Sequence, residues 1–312
     1  MDKQVEQSNN GGSSRALTTT QSNSSTGLRV LDLLDEKQLA SAEVFLKKFM
    51  SSDKGGIKSV AEGLAILTRA QDLQLPFSTC IEHIHVINGK TGVDVHIIKS
   101  LLSRAGVVWE CTKDYTPQYQ YTDGNTIYNE TQLPDYCVKC RTAKAAEDIT
   151  KDDIVGVYPV AWYQDLKGNI YNETQISDKC VKAINKQHAH KLVSDGKFPV
   201  IRIPAQPIDY VTEYKFTRWK MINGKEREIT CTSRFSFTEA QAAGLFEKDT
   251  YKKYPRTLIS HRAFTLGARD IAPDAIMGCC ETTELKIING MDISSNDLSI
   301  QDTDFEEINI ID

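Results

Sequence analysis

The stretch VTEYKFTRWKMINGKEREITCTSRFSF, Val211 to Phe237, decides how this chain is read. Apolar and polar residues alternate on both sides of Asn223-Gly224, the dipeptide that best tolerates the two positive φ values of a tight hairpin turn. A two-residue turn sets Ile222 opposite Lys225, Lys220 opposite Arg227, Arg218 opposite Ile229 and Phe216 opposite Cys231. One face of the ribbon is then apolar near its base (Tyr214, Phe216, Ile229, Cys231) and basic toward its tip (Arg218, Lys220, Arg227). The other face carries Thr217, Trp219 and Thr230.

Downstream, Thr238 is a plausible N-cap for a short helix that ends at Gly244. A longer helix starts at Pro255, where the missing N–H costs nothing. On it Arg262 and Arg269 share a face, at the edge of a stripe made by Leu258, Ile259, Ala263 and Leu266. Charges on such a boundary are either paired with carboxylates or aimed at an anion. Lys252, Lys253 and Arg256 sit just before or in the first turn, where free N–H groups and the helix dipole also favour a phosphate.

Upstream, apolar residues recur at helical spacing from Leu28 to Met50 and from Gly56 to Leu73. Cys80 to Ile87 alternates like a strand up to Asn88-Gly89, a second hairpin signal, and a helix from about Asp94 to Arg104 and a strand from Val107 to Thr112 follow. Residues 115–207 have weaker patterning and one clear feature. Ile127-Tyr128-Asn129-Glu130-Thr131-Gln132 returns as Ile170-Tyr171-Asn172-Glu173-Thr174-Gln175, and each copy continues to Asp-x-Cys-Val-Lys. Two copies are too few for a solenoid, so they read as a duplicated surface excursion serving architecture or assembly. Residues 1–27, rich in Ser, Thr, Asn, Gln and Gly, read as a disordered arm.

The fold class expected is α+β, with β-hairpins and a small antiparallel sheet packed against helices. The net charge of −5 hides an asymmetry: Tyr210 to Asp270 holds 12 Lys or Arg against 7 Asp or Glu, while Glu281 to Asp312 holds 1 against 9. A chain that coats polyanions over its whole surface is excluded, whereas a basic central segment with an acidic tail remains. No run of about 18 apolar residues and no secretory pattern occurs, which points to a cytoplasmic protein with no membrane partner. Eight cysteines in such a chain read as reduced thiols.

Beyond these patterns, the blocks Phe235 to Leu245, Tyr251-Lys252-Lys253-Tyr254-Pro255-Arg256 to Phe264, Ala272-Pro273-Asp274 and Gly278 resemble the C-terminal half of the phage RecT recombinase core. Ala70-Gln71-Asp72-Leu73-Gln74-Leu75-Pro76, Ile87-Asn88-Gly89-Lys90 and Arg104-Ala105-Gly106 resemble its N-terminal half. The resemblance covers roughly Ser59 to Gly278 apart from the excursion at 115–207, which has no counterpart. It implies a core (residues 28–280) distantly similar to Rad52 that assembles as rings or helical filaments. It also implies a non-enzymatic protein that binds single-stranded DNA and anneals complementary strands in phage-type homologous recombination without ATP or any other cofactor. Its implied partners, besides the strands, the annealed duplex and its own copies, are a phage exonuclease or a host single-strand-binding protein in the bacterial cytoplasm. Carried onto this chain, the DNA-binding residues are Arg218, Lys220, Lys252, Lys253, Arg256, Arg262 and Arg269, with Tyr214 and Trp219 as candidate base-stacking rings.

Rival chemistries are weaker. Gly89-Lys90-Thr91 ends like a phosphate loop, but Ile84 stands where the first glycine belongs. Cys137 and Cys140 form a half-site for a metal that Cys180, His188 and His190 would have to complete. No catalytic triad or carboxylate cluster stands out, so a metal-dependent nuclease or other DNA-processing enzyme is the alternative. The acidic tail, residues 281–312, is expected to be flexible: a solvated end, a partner-docking peptide or an internal competitor for the basic groove.

Overall fold

The computed structural model describes residues 32, 35–50, 57–151, 153–291 and 293, so the disordered-arm expectation for residues 1–27 lies outside the described residues. The chain is a mixed α+β protein. Helices α1 (Glu36–Met50) and α2 (Val60–Asp72) follow the helical spacing, with Ser59 accepting from Glu62 N as the cap of α2. Helix α3 (Phe77–His83) corrects the expected strand from Cys80: the strand β1 (Ile84–Ile87) begins four residues later. Pro76 is its N-cap, and Phe77 and Cys80, three apart, share its buried side. Strand β2 (Lys90–Val93) pairs with β1 around Asn88-Gly89, whose φ values of 49° and 76° are those of the mirror-image hairpin turn. Helix α4 (Val95–Arg104) is capped by the Asp94 carboxylate, and β3 (Val107–Gln118) runs six residues longer than its alternation indicates.

Residues 120–203 fold as two copies of one small unit. The first is β4 (Gln120–Thr122), β5 (Ile127–Asn129), a 3-10 turn, β6 (Cys137–Lys139), α5 (Ala143–Ile149) and β7 (Val155–Pro159), with sheet order β5-β4-β7-β6. The second is β8 (Trp162–Asp165), β9 (Ile170–Asn172), a 3-10 turn, β10 (Cys180–Ala183), α6 (Lys186–Ser194) and β11 (Phe198–Ile203), in the matching order β9-β8-β11-β10. In both, the first two strands form a hairpin and the third runs parallel to the fourth. The sequence echo is therefore a tandem duplication of a whole βββαβ unit.

The hairpin of β12 (Asp209–Ile222) and β13 (Lys225–Ser236) has the expected register, including Phe216 opposite Cys231 and Lys220 opposite Arg227. Strand β3 pairs with the other edge of β12 to complete a three-stranded sheet. Helix α7 (Phe237–Ala242) is capped by Ser236 rather than Thr238, in a reciprocal box with Glu239. After α8 (Asp249–Lys253), helix α9 (Pro255–Ile271) lies across the sheet, with Pro255 in its first turn. Helix α10 (Pro273–Ile276), strand β14 (Cys280–Glu281) and α11 (Thr282–Ile288) end the described fold. Strand β14 joins β2 in parallel, so residues 281–288 are packed structure where a flexible tail is expected.

One core spans the chain: Leu46, Ile66, Phe77, Ile84, Ile98, Leu101, Phe216 and Phe264 belong to a single buried cluster. A second, smaller cluster of Ala240, Leu245, Tyr251, Leu258 and Ile259 packs α7 and α8 onto α9. Where α9 crosses the sheet, the Phe264 ring meets Trp109, Tyr214 and Phe216 at centroid distances of 5.4, 5.3 and 5.3 Å. The contact is made possible by Gly267, because a Cβ there would overlap the Phe216 ring and stand 2.8 Å from Ser233 Cβ.

Gly267→Ala pits helix propensity, which favours alanine by about 1 kcal/mol, against overpacking, which costs about 1–3 kcal/mol. Urea unfolding is expected to show net destabilisation; a variant at least as stable as the parent means the close approach is not limiting. A second test uses His261, which α9 turns inward with its Nδ1 buried and unbonded. Burial, then the Lys99 and His96 charges, lower its pKa from 6.5 to about 4, with Asp94 acting the other way. The unfolded chain therefore takes up this proton first: stability is full above pH 6.5 and falls as pH drops toward 4, by roughly 3 kcal/mol at the low end. His261→Gln is expected to flatten the stability profile in that window, and an unchanged slope overturns the assignment.

Candidate nucleic-acid interface

Alternation along β12 and β13 separates two chemically different faces. On the face turned toward α9, Tyr214 and Phe216 enter the core, and the Tyr214 hydroxyl lies 2.8 Å from Ser260 Oγ. That ring is committed to packing, so it does not stand open as a base-stacking surface. Beyond Phe216 the same face emerges as Arg218, Lys220, Lys225 and Arg227, the last three exposed. Arg218 donates to both oxygens of Asp274 at 2.6 and 2.9 Å, and Lys220 Nζ stands 3.9 Å from the same carboxylate. The Arg218 hydrogen bonds hold the Asp274 carboxyl down to about 2 against a weaker opposing effect of burial. Lys225 and Arg227 make no ion pair with a described residue.

The opposite face is of another character. Trp219 is 49% exposed and Met221 66% exposed, but Glu228 stands directly across from Trp219 and Glu226 across from Met221. A ring stacked on a base there would draw the neighbouring phosphates toward carboxylates.

The remaining candidates fall into separate groups. Lys252 and Lys253 lie on α8, Lys252 paired with Asp249 at 3.4 Å and Lys253 without an ion pair among the described residues. Arg256 donates through Nε and Nη2 to the two oxygens of Asp114 on β3. Arg262 and Arg269, two turns apart on α9, converge on Glu284 of α11. Arg262 also lies over the Phe235 ring, 5.9 Å from its centroid. The structure thus joins Arg218 with Lys220 and Arg262 with Arg269, while Arg256 stands with Asp114 on another side of α9. Asp114, Asp274 and Glu284 are the functional neighbours that the sequence reading missed. Their pairing depends on contacts across 56, 142 and 15 residues, for which periodicity carries no signal.

The repeated residues of the two βββαβ units serve their own interiors. Asp123 and Asp165 each accept from turn N–H groups and from a tyrosine hydroxyl, Tyr128 at 2.9 Å and Tyr171 at 3.2 Å. Lys139 pairs with Glu130 and caps the Tyr121 ring, as Lys182 pairs with Glu173 and caps Tyr163. The candidate metal half-site is not assembled: Cys140 is buried with Sγ against the Val138 and Ala145 carbonyls, and His188 Nδ1 accepts from Ile184 N. Among the described residues no group of three His, Cys, Asp or Glu side chains stands close enough to hold a metal ion. No helix among them is long and apolar enough to cross a membrane.

No family model, curated protein or solved structure matches the chain.

Proposed function

We propose that this protein binds single-stranded DNA through its sugar–phosphate backbone and anneals it to a complementary strand, without ATP and without chemistry on the DNA. The observation that carries the reading is the two-faced hairpin. Lys220, Lys225 and Arg227 crowd one exposed face of its tip beside Arg218, while Glu226 and Glu228 occupy the reverse. A cationic ribbon edge with few base-reading groups suits annealing, because phosphate contacts leave the Watson–Crick edges open for pairing. A second support is the way the RecT-like stretches meet. Those before and after the excursion share one core, with Ala70, Leu101, Phe264 and Ala272 in a single buried cluster. The duplicated units lie outside that cluster, as expected of an insertion into an annealing core distantly like Rad52.

In this reading the protein acts in phage-type recombination in the bacterial cytoplasm. It assembles as a ring or helical filament and meets an exonuclease or a host single-strand-binding protein. Lys252 and Lys253 add phosphate contacts beside the second core, and Arg256 does so once it leaves Asp114.

The test mixes purified protein with two complementary oligonucleotides in EDTA and without nucleotide. Accelerated pairing is expected; no acceleration, or cutting of the strands when magnesium is supplied, overturns the proposal. In the same assay Lys220→Ala with Arg227→Ala is expected to weaken binding similarly for all sequences. It should also lower the salt slope by about one per lost phosphate contact. A sequence-dependent loss would point to base readout.

A further inference from the structure

Glu284 of α11 stands between two arginines of α9. Its Oε1 accepts from Arg269 Nη1 at 3.3 Å and stands 3.4 Å from Arg262 Nη1, while Oε2 accepts from Arg269 Nη2. The side chain is 12% exposed. Burial alone would raise its pKa, but the Arg269 hydrogen bond and the two guanidinium charges outweigh that and hold it below the usual carboxylate range. The group is an anion held by the planar fork of Arg269 with the Arg262 charge beside it, and such a fork suits carboxylates and phosphates alike. One carboxylate does not saturate two arginines. The pair keeps a net positive charge, and Arg262 Nη1 is buried without a hydrogen bond. An open cavity of about 410 Å³, lined by Arg269, Glu284, Cys280, Pro273 and Ile276 among others, leaves room beside the carboxylate.

The element that delivers Glu284 is short and is seated by the buried Thr282, Thr283 and Leu285. Helix α11 has seven residues and follows a two-residue strand, and its cap is the Glu281 carboxylate accepting from Glu284 N. That seat is imperfect, because Glu281 Oε1 and Thr282 Oγ1 are both buried without a hydrogen-bond partner among the described residues. Buried polar atoms left unmatched oppose docking. The sequence that continues beyond α11 carries seven of the acids that make the C-terminal stretch negative.

We propose that α11 is a built-in competitor for DNA. Glu284 occupies the Arg262–Arg269 clasp in the free protein, and a backbone phosphate displaces it, freeing α11 from the back of α9. The inference rests on the reading of the chain as a single-strand DNA binder. It moves the competing group from the distal acidic tail to a defined side chain on a docked helix.

Hydrogen–deuterium exchange on the full chain, with and without a poly-dT oligonucleotide, tests the displacement directly. The amides of Thr282–Ile288 are expected to exchange at least several-fold faster when DNA is bound, while those of β12 and β13 do not. Unchanged or slowed exchange in α11, with binding observed, overturns the competitor and leaves the binding reading intact. If the wild-type chain binds no oligonucleotide, the binding reading falls and this inference with it. Glu284→Gln, which keeps the shape and removes the charge, is expected to bind poly-dT several-fold more tightly. Its salt slope should change by less than that of a variant lacking Arg262 and Arg269, because the phosphate contacts are retained. Equal affinity in a folded Glu284→Gln protein overturns the proposal. Should that variant fail to fold, the exchange experiment on the wild-type chain still decides.

Discussion

The close approach of α9 to the β12–β13 hairpin is the constraint on which the rest of the structure depends. Phe216 and Phe264 are each 1% exposed or less, and they meet because Gly267 has no side chain at the crossing. The crossing fixes how far the hairpin extends past the helix. Side chains up to Phe216 are spent on the core, and those from Arg218 onward project beyond it. The basic tip is thus a consequence of hairpin length relative to helix length, with register supplied by the Asn223-Gly224 turn. At the same crossing Arg262 lies over the Phe235 ring of β13 and, with Arg269, meets Glu284 of α11.

Segmental charge proves a poor guide to surface potential in this protein. The central stretch has a clear excess of Lys and Arg, yet Arg218, Arg256, Arg262 and Arg269 each face a carboxylate. Their partners come from β3, α10 and α11, all three outside that stretch. Arginine accounts for all four pairs, as expected of a planar fork that fits a carboxylate with two parallel bonds. The cations of the stretch without an ion pair among the described residues are Lys225 and Arg227 at the hairpin tip, Lys215 and Arg234 midway along the hairpin, and Lys248 and Lys253 at α8. The charge left for a polyanion is therefore concentrated at those sites instead of spread along α9.

Much of this arrangement was legible in the sequence, for identifiable reasons. Asn-Gly requires two positive φ values, and both turns adopt them. Pro255 marks the start of α9 because it can only stand in a first turn. The failures are equally local. Cys80 to His83 alternates well enough to mimic a strand, but Pro76 caps a helix there and tertiary packing of Phe77 and Cys80 keeps it helical. Thr238 was the expected cap, although Ser236 followed three residues later by Glu239 is the stronger pattern and is the one used. Alternation puts Tyr214 on the apolar base of the ribbon beside Phe216, which makes its core packing legible, but its hydroxyl partner Ser260 lies 46 residues away and leaves no such signal. Strands of three residues in the duplicated units are too short for periodicity to register.

The duplication also has a geometric rationale. Gln118 at the end of β3 pairs with Asp209 at the start of β12, so the chain leaves and re-enters the central sheet at adjacent positions. An insertion there needs its ends together, and each βββαβ unit supplies that locally, because its first and last strands are neighbours in its own sheet. Adding a unit therefore leaves the register of β3 on β12 undisturbed and costs little extra loop-closure entropy. The internal Asp–Tyr and Glu–Lys–Tyr contacts let each unit hold its shape without borrowing from the main core. The sequence echo thus follows from the folding needs of a self-contained insertion, since the residues it repeats make the contacts that hold each unit together.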